Sequence, residues 1–163
     1  ISESYENFIA KVGTVSFRPR VIAGHTFSGT WFAPGGDGFV ASIIRDAGGD
    51  YVLADMRQTS SVETDIESMI SIAIDADIWV DAATRWSSVS DALIEDERYR
   101  EFKAVKNGQI WNYGKIMNES GGVDFFERGV SRPDLVIADL VKIIHPDIAI
   151  DHQFVWYQKI PMN

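Results

Sequence analysis

Three histidines, His25, His145 and His152, are the residues first weighed for metal or acid–base chemistry. A zinc or iron site needs side chains that converge, and His25 is far in the chain from His145 and His152. His145 falls at a helix end, where a cation suits the helix dipole. His152 lies in a polar tail. Only His25, at the end of an apolar run, is placed where function usually sits. Nucleophilic catalysis has less support still. The chain has no cysteine and no G-x-S-x-G turn. Ser28 stands three residues from His25 and reads as a turn residue. Gly35-Gly36-Asp37-Gly38 opens a helix and could cradle a phosphate there. It matches no established phosphate fingerprint, and Asp37 puts a negative charge where the phosphate would lie. A tight turn with Asp37 as the helix cap is the expected structure. No catalytic residue and no protein-held metal or cofactor is assigned.

The elements that position any site follow from the spacing. Residues 3–12 keep Tyr5, Phe8, Ile9 and Val12 on one helical face and read as the end of a helix. Arg20 to His25 is a short apolar run, as in a strand buried on both faces. Trp31 to Tyr51 then reads strand, glycine loop, helix, glycine stop, strand. Its helix carries Phe39, Val40, Ile43, Ile44 and Ala47, and Gly48-Gly49 ends it. A second helix is expected from Ser60, where Ser60-x-x-Glu63 has the form of a capping box. Ile78 to Asp81 is the third main strand. Ser88 to Phe102 is an interrupted helical stretch, and Gln109 to Tyr113 is the fourth strand. A loop over 114–130 leads to a helix opened by Pro133 and stopped by His145-Pro146. Phe154 to Tyr157 is too apolar to hang free. Strand and helix alternate four times on short connections. This predicts an α/β fold, a three-layer sandwich with a mainly parallel central sheet of at least four strands.

The totals bound the function. The 163 residues suit one domain with a sizeable core, and 45% are apolar. No apolar run reaches membrane-spanning length. A net charge of −9 repels phosphate backbones, which argues against nucleic acid as a partner. In open parallel sheets, ligands bind beyond the carboxyl ends of the strands. The residues following each strand are His25, Phe27 and Trp31; Met56, Arg57 and Gln58; Arg85 and Trp86; and Tyr113, Lys115 and Met117, with Phe125-Phe126 further on. Trp31, Arg57, Arg85, Trp86 and Tyr113 are therefore expected to line a face for a large, partly aromatic, anionic ligand.

Four stretches carry a resemblance. WFAPGGDGFVASIIRDAGGDY, ADIWV at 76–80, FKAVKNGQIWN at 102–112 and FFERGVSRPDLVIADLVKIIHPDI at 125–148 resemble the C-terminal lobe of substrate-binding proteins of ABC importers. The subgroup resembled is the ferric-siderophore and vitamin B12 type, with a Bacteroidetes-like look. The resemblance implies one lobe of a two-lobe binding protein, not an enzyme. Residues 1–12 would be the end of the inter-lobe linker helix, and 13–163 the C-terminal substrate-binding lobe. The implied partners are an iron chelate (siderophore or heme) or corrinoid, ABC permease subunits, and an N-terminal lobe of the same chain. The implied location is the periplasm, with or without a lipid anchor. An acidic residue on the outer surface would dock the permease; Glu101 is the first choice, with Glu97 and Asp96 as rivals. The competing readings are an α/β enzyme of chelatase type on a related fold, and an interaction domain with no small-molecule ligand.

Overall fold

A computed structural model describes residues 1–163. In chain order its regular elements are α1 (Ser2–Val12), β1 (Arg20–Ala23), β2 (His25–Phe27), β3 (Thr30–Ala33), α2 (Phe39–Asp46), β4 (Asp50–Tyr51), β5 (Val62–Thr64), α3 (Ile66–Ala73), β6 (Ile78–Val80), α4 (Val89–Glu95), α5 (Lys103–Lys106), β7 (Trp111–Asn112), α6 (Pro133–Ile144) and β8 (Gln158–Lys159). A 3-10 turn over Glu97–Glu101 and a π-helical turn over Phe125–Gly129 complete the set.

The central sheet runs β4-β1-β6, all parallel, with Ile22 beside Trp79 and Val21 beside Ile78. Ile110 bridges Trp79 in the parallel sense and gives the sheet its fourth position. β8 then pairs with β7 in the antiparallel sense and closes that edge. Successive side chains on a strand point to opposite faces. Val21 therefore faces one layer, where α1, α2 and α6 pack on one another. Ile22 and Trp79 face the other layer. Trp31, Trp86, Tyr99 and Phe102 gather there around the Trp79 ring, at centroid distances of 5.3, 5.6, 5.4 and 5.7 Å. The expected three-layer α/β architecture is present.

The layer over Trp79 departs from expectation. Part of it is a second sheet, β2-β3-β5, antiparallel throughout. Gly24 turns the chain from β1 into β2 with φ +96°, and a Cβ there would lie 2.1 Å from the Phe32 carbonyl oxygen. Ser28 (φ +51°) and Gly29 (φ +84°) form the two-residue hairpin turn into β3. The helix expected from Ser60 does not start there. Residues 62–64 pair with β3 as β5, and the helix begins at Ile66, with Asp65 Oδ1 accepting the Ser68 N–H at 2.8 Å. The capping-box spacing was real, but the hydrogen bonds offered by β3 outweighed it.

Asp37 is not the cap of α2. Gly38 occupies that position without a side-chain hydrogen bond, and the Asp37 carboxylate meets Arg57 Nε at 2.7 Å. The glycine loop serves close packing instead. A Cβ on Gly35 would lie 2.2 Å from the Gln58 oxygen, and one on Gly36 2.4 Å from the Ala54 oxygen. The N–H groups of Gly36 and Asp37 already donate to Met56 and Gln58 carbonyls at 2.8 and 3.0 Å. These amides are occupied, so the loop has no phosphate cradle to offer.

The tail is firmly docked. Trp156 and Tyr157 are buried. Asp139, fully buried on α6, accepts the backbone N–H groups of Val155, Trp156 and Tyr157 at 3.0, 2.8 and 3.0 Å, and meets His152 Nε2 at 2.6 Å. His145 Nε2 lies 3.0 Å from the Gly48 oxygen and ties the end of α6 to the turn after α2.

Candidate ligand-binding cleft

A cavity of about 470 Å³ opens at the carboxyl end of the parallel sheet. Its wall begins where β1 and β6 end, at Gly24, His25 and Asp81, and continues through Tyr113 beyond the fourth position. The antiparallel sheet adds Phe32 and Ala33. The glycine loop and α2 add Phe39 and Val40, and the π-helical turn adds Phe125 and Phe126. Tyr113 stacks on Phe125 at 4.8 Å and meets Phe126 edge-on at 5.1 Å. Phe126 is largely exposed, and Phe32 and Phe39 are at the border of exposure. The result is a concave, mostly apolar surface with several aromatic side chains and few polar groups, the usual character of a small-molecule site.

The polar groups sit at the floor. Asp81 is 5% exposed and has φ +53°, a left-handed conformation uncommon outside glycine, though easier for Asp and Asn than for most residues. Its Oδ1 accepts the Tyr157 hydroxyl at 2.7 Å. Burial raises its pKa from the ordinary aspartate range to about 6, while the Tyr157 hydrogen bond pulls the other way. Burial lowers the His25 pKa and keeps that ring neutral near pH 7; its Nδ1 lies 3.4 Å from the Asp81 carbonyl oxygen. Burial also raises the Tyr113 and Tyr157 pKa values, and the Asp81 charge adds to both shifts. No lysine or arginine lines the cavity.

Of the five residues expected on this face, the structure places only Tyr113 in it. Trp31 has no exposed surface and Trp86 retains 3%. Both are core residues: β3 folds back over the central sheet and lays Trp31 on Trp79, while the Trp86 N–H donates to Glu95 at 2.7 Å. Arg85 stacks over Trp86 and grips Glu95 and the Thr26 carbonyl. Arg57 lies in another depression, beside Asp37, Arg18 and Arg45. The arginines are thus committed to carboxylates away from the cleft, and the anionic-ligand expectation loses its residues. His25, Phe125 and Phe126, noted in the sequence, do line it. Asp81, Phe32 and Phe39 were missed. For Asp81 a signal existed: a carboxylate that closes the apolar run Ile78-Trp79-Val80 at a strand's carboxyl end.

On the outer surface, Glu97 and Glu101 are exposed. Asp96 differs, because its carboxylate accepts the Arg98 N–H at 2.9 Å and pairs with the Arg98 guanidinium, capping the 3-10 turn.

The cleft lies where open parallel sheets hold their ligands, beyond the carboxyl ends of the strands. The chain belongs to the periplasmic binding protein family, whose sequence profile matches residues 3–116. It is 30% identical over 146 residues to an uncharacterized lipoprotein of Methanocaldococcus jannaschii, an alignment covering 87% of this chain and 33% of that protein. Among solved structures, a periplasmic solute binding protein from Veillonella parvula superposes with a TM-score of 0.67 at 16% identity, over 93% of this chain and 44% of that one. S. aureus IsdE, solved with heme, gives 0.63 at 16% identity, over 88% and 54%. The vitamin B12 binding protein BtuF of Vibrio cholerae gives 0.62 at 12% identity, over 93% and 52%. The chain therefore spans a third of the curated relative and about half of each solved structure.

Proposed function

We propose that this chain is the C-terminal lobe of the substrate-binding component of an ABC importer for an iron chelate, siderophore or heme, or for a corrinoid. The observation that carries the reading is the aromatic cavity at the carboxyl end of the parallel sheet, with Tyr113, Phe32, Phe39, Phe125 and Phe126 in its wall. Flat or bulky chelates match such a surface because aromatic side chains supply large rigid contact area. The fold likeness to structures named for heme and vitamin B12 supports the same ligand classes. In this reading residues 1–12 end the helix that links two lobes, and residues 13–163 form the lobe itself. Two features support it: α1 packs on α6 and α2, with the Tyr5 hydroxyl donating to Asp46 at 2.7 Å, and the solved relatives are about twice as long. The second lobe would close over the cleft. Glu101, with Glu97 and Asp96 beside it, would meet the permease, and the protein would work in the periplasm or anchored by lipid outside the membrane. The lipoprotein relative supports the anchored form.

The test is direct titration of the full-length protein with hemin, cyanocobalamin and ferric siderophores of the hydroxamate and catecholate classes. Saturable binding of at least one, weakened by Tyr113→Ala, is expected. Failure of every probe to bind would overturn the reading.

A further inference from the structure

We propose that Asp81 is the polar anchor of the cleft: it receives a hydrogen-bond donor of the ligand, a hydroxyl, amide N–H or ammonium, and so selects neutral or cationic chelates over anionic ones. This rests on the cleft being the ligand site.

Asp81 lines the cavity, and one of its oxygens takes the Tyr157 hydroxyl. No other protein donor reaches the carboxylate, yet neither oxygen is both sealed from solvent and without a partner. The remaining acceptor capacity is therefore open to the cavity. A carboxylate in such a place usually has a cationic neighbour, because an unpaired buried charge is costly. Here none lines the cleft, and the nearby Arg85 is held by Glu95 and the Thr26 carbonyl. His25 is neutral for the reason given above. Burial raises the Asp81 pKa only to about 6, so near pH 7 the group is mostly ionised and uncompensated. The backbone holds Asp81 at φ +53° while the next residue, Ala82, donates its N–H to Trp111 at 3.0 Å. Strained backbone of this kind concentrates where a side chain must be aimed. A ligand that brings a donor to the floor satisfies the open oxygen. A ligand with negative charge at the same place meets a like charge in a low-dielectric setting and is rejected.

The experiment measures dissociation constants of the full-length protein and its variants by quenching of intrinsic fluorescence. The probes are a ferric trihydroxamate with a free ammonium group, neutral cyanocobalamin, and an anionic ferric tris-catecholate. The native protein should prefer the first two. Asp81→Asn should weaken the preferred probe by at least about tenfold, the usual scale for a hydrogen bond to a charged group, and should not weaken the tris-catecholate. Asparagine tolerates the left-handed backbone as aspartate does. Asp81→Gly, for which that conformation is free, is the second variant and should behave alike. A native preference for the anionic probe, or an Asp81→Asn constant within about twofold of native, overturns the inference alone. Binding of hemin alone, an anionic chelate, also overturns the inference alone; if neither hemin nor any of these probes binds, the importer reading falls and the inference with it.

Discussion

The carboxylate of Asp139 accepts the backbone N–H of Trp156 at 2.8 Å, and through this contact a helix holds the end of the chain. Val155 and Tyr157 donate to the same group, with His152 beside it. A fully buried carboxylate is stable only with such a complete set of donors. Asp139→Ala strips the partner from three main-chain amides, and the expected cost is about 3–5 kcal/mol, read as a lower urea midpoint. The same variant should loosen Tyr157 and thereby disturb ligand binding. An unchanged midpoint would mean that the tail is held by its apolar packing alone.

Asp81 should shape the pH dependence of stability. Its pKa is raised from 3.8 to about 6 on folding, so between those values the folded state holds a proton that the unfolded chain has released. Stability therefore falls as pH rises through that window and levels off above it. The span is on the order of 3 kcal/mol. The groups around the carboxylate are Tyr157, Tyr113, Tyr51 and His25. Other carboxylates with lowered pKa values, such as Asp77, act in the opposite direction, so the difference between native and Asp81→Asn proteins is the informative curve. That difference should grow from pH 4 to pH 6, with the variant more stable at the upper end. A flat difference would refute it.

The tryptophans in the core should act on folding. The Trp79 N–H donates to the Gly24 carbonyl at 2.8 Å and the Trp31 N–H to the Ala23 carbonyl at 3.2 Å, so both indoles pin the chain where β1 ends. Trp79→Phe keeps much of the ring packing but leaves a carbonyl unpaired, which should cost about 1–3 kcal/mol. Trp31→Ala should cost about 3–5 kcal/mol. Thermal melts with ligand titration separate the roles. A Trp31 variant that melts normally but binds poorly would return that residue to the ligand face.

The acidic outer surface divides by role. Glu97→Arg and Glu101→Arg should leave stability within about 0.5 kcal/mol, as for most exposed substitutions. In the whole transporter, the Glu101 variant should bind ligand and fail in uptake. Asp96→Ala removes a turn cap and should cost about 1 kcal/mol by itself. Normal uptake by both charge-reversed variants would remove the docking proposal.

Much of the architecture could be read from periodicity. α1, α2 and α6 show long apolar stripes, and β1 and β6 are apolar runs with turn signals beside them. The antiparallel sheet could not be read so easily. Its strands have three or four residues, too few to show a period, and the Ser60 spacing pointed to a helix instead. The site was half legible for the same reason. Position after a strand correctly brought His25 and Tyr113 to one end. It could not say that β3 returns over the sheet and carries Trp31 inward, because that depends on a partner strand about thirty residues later. The arginines do not line the cavity, because their carboxylate partners, Asp37 and Glu95, are set by tertiary packing.

The Tyr157 that meets Asp81 lies 76 residues further along the chain, in the segment clasped by α6. It is synthesised after every strand of the parallel sheet. A nascent chain can thus lay down the parallel sheet, the β2-β3-β5 sheet and every helix while Asp81 still lacks its hydroxyl partner. In the proposed ligand-binding role, the floor of the cleft is completed last, when the segment around Tyr157 docks on α6.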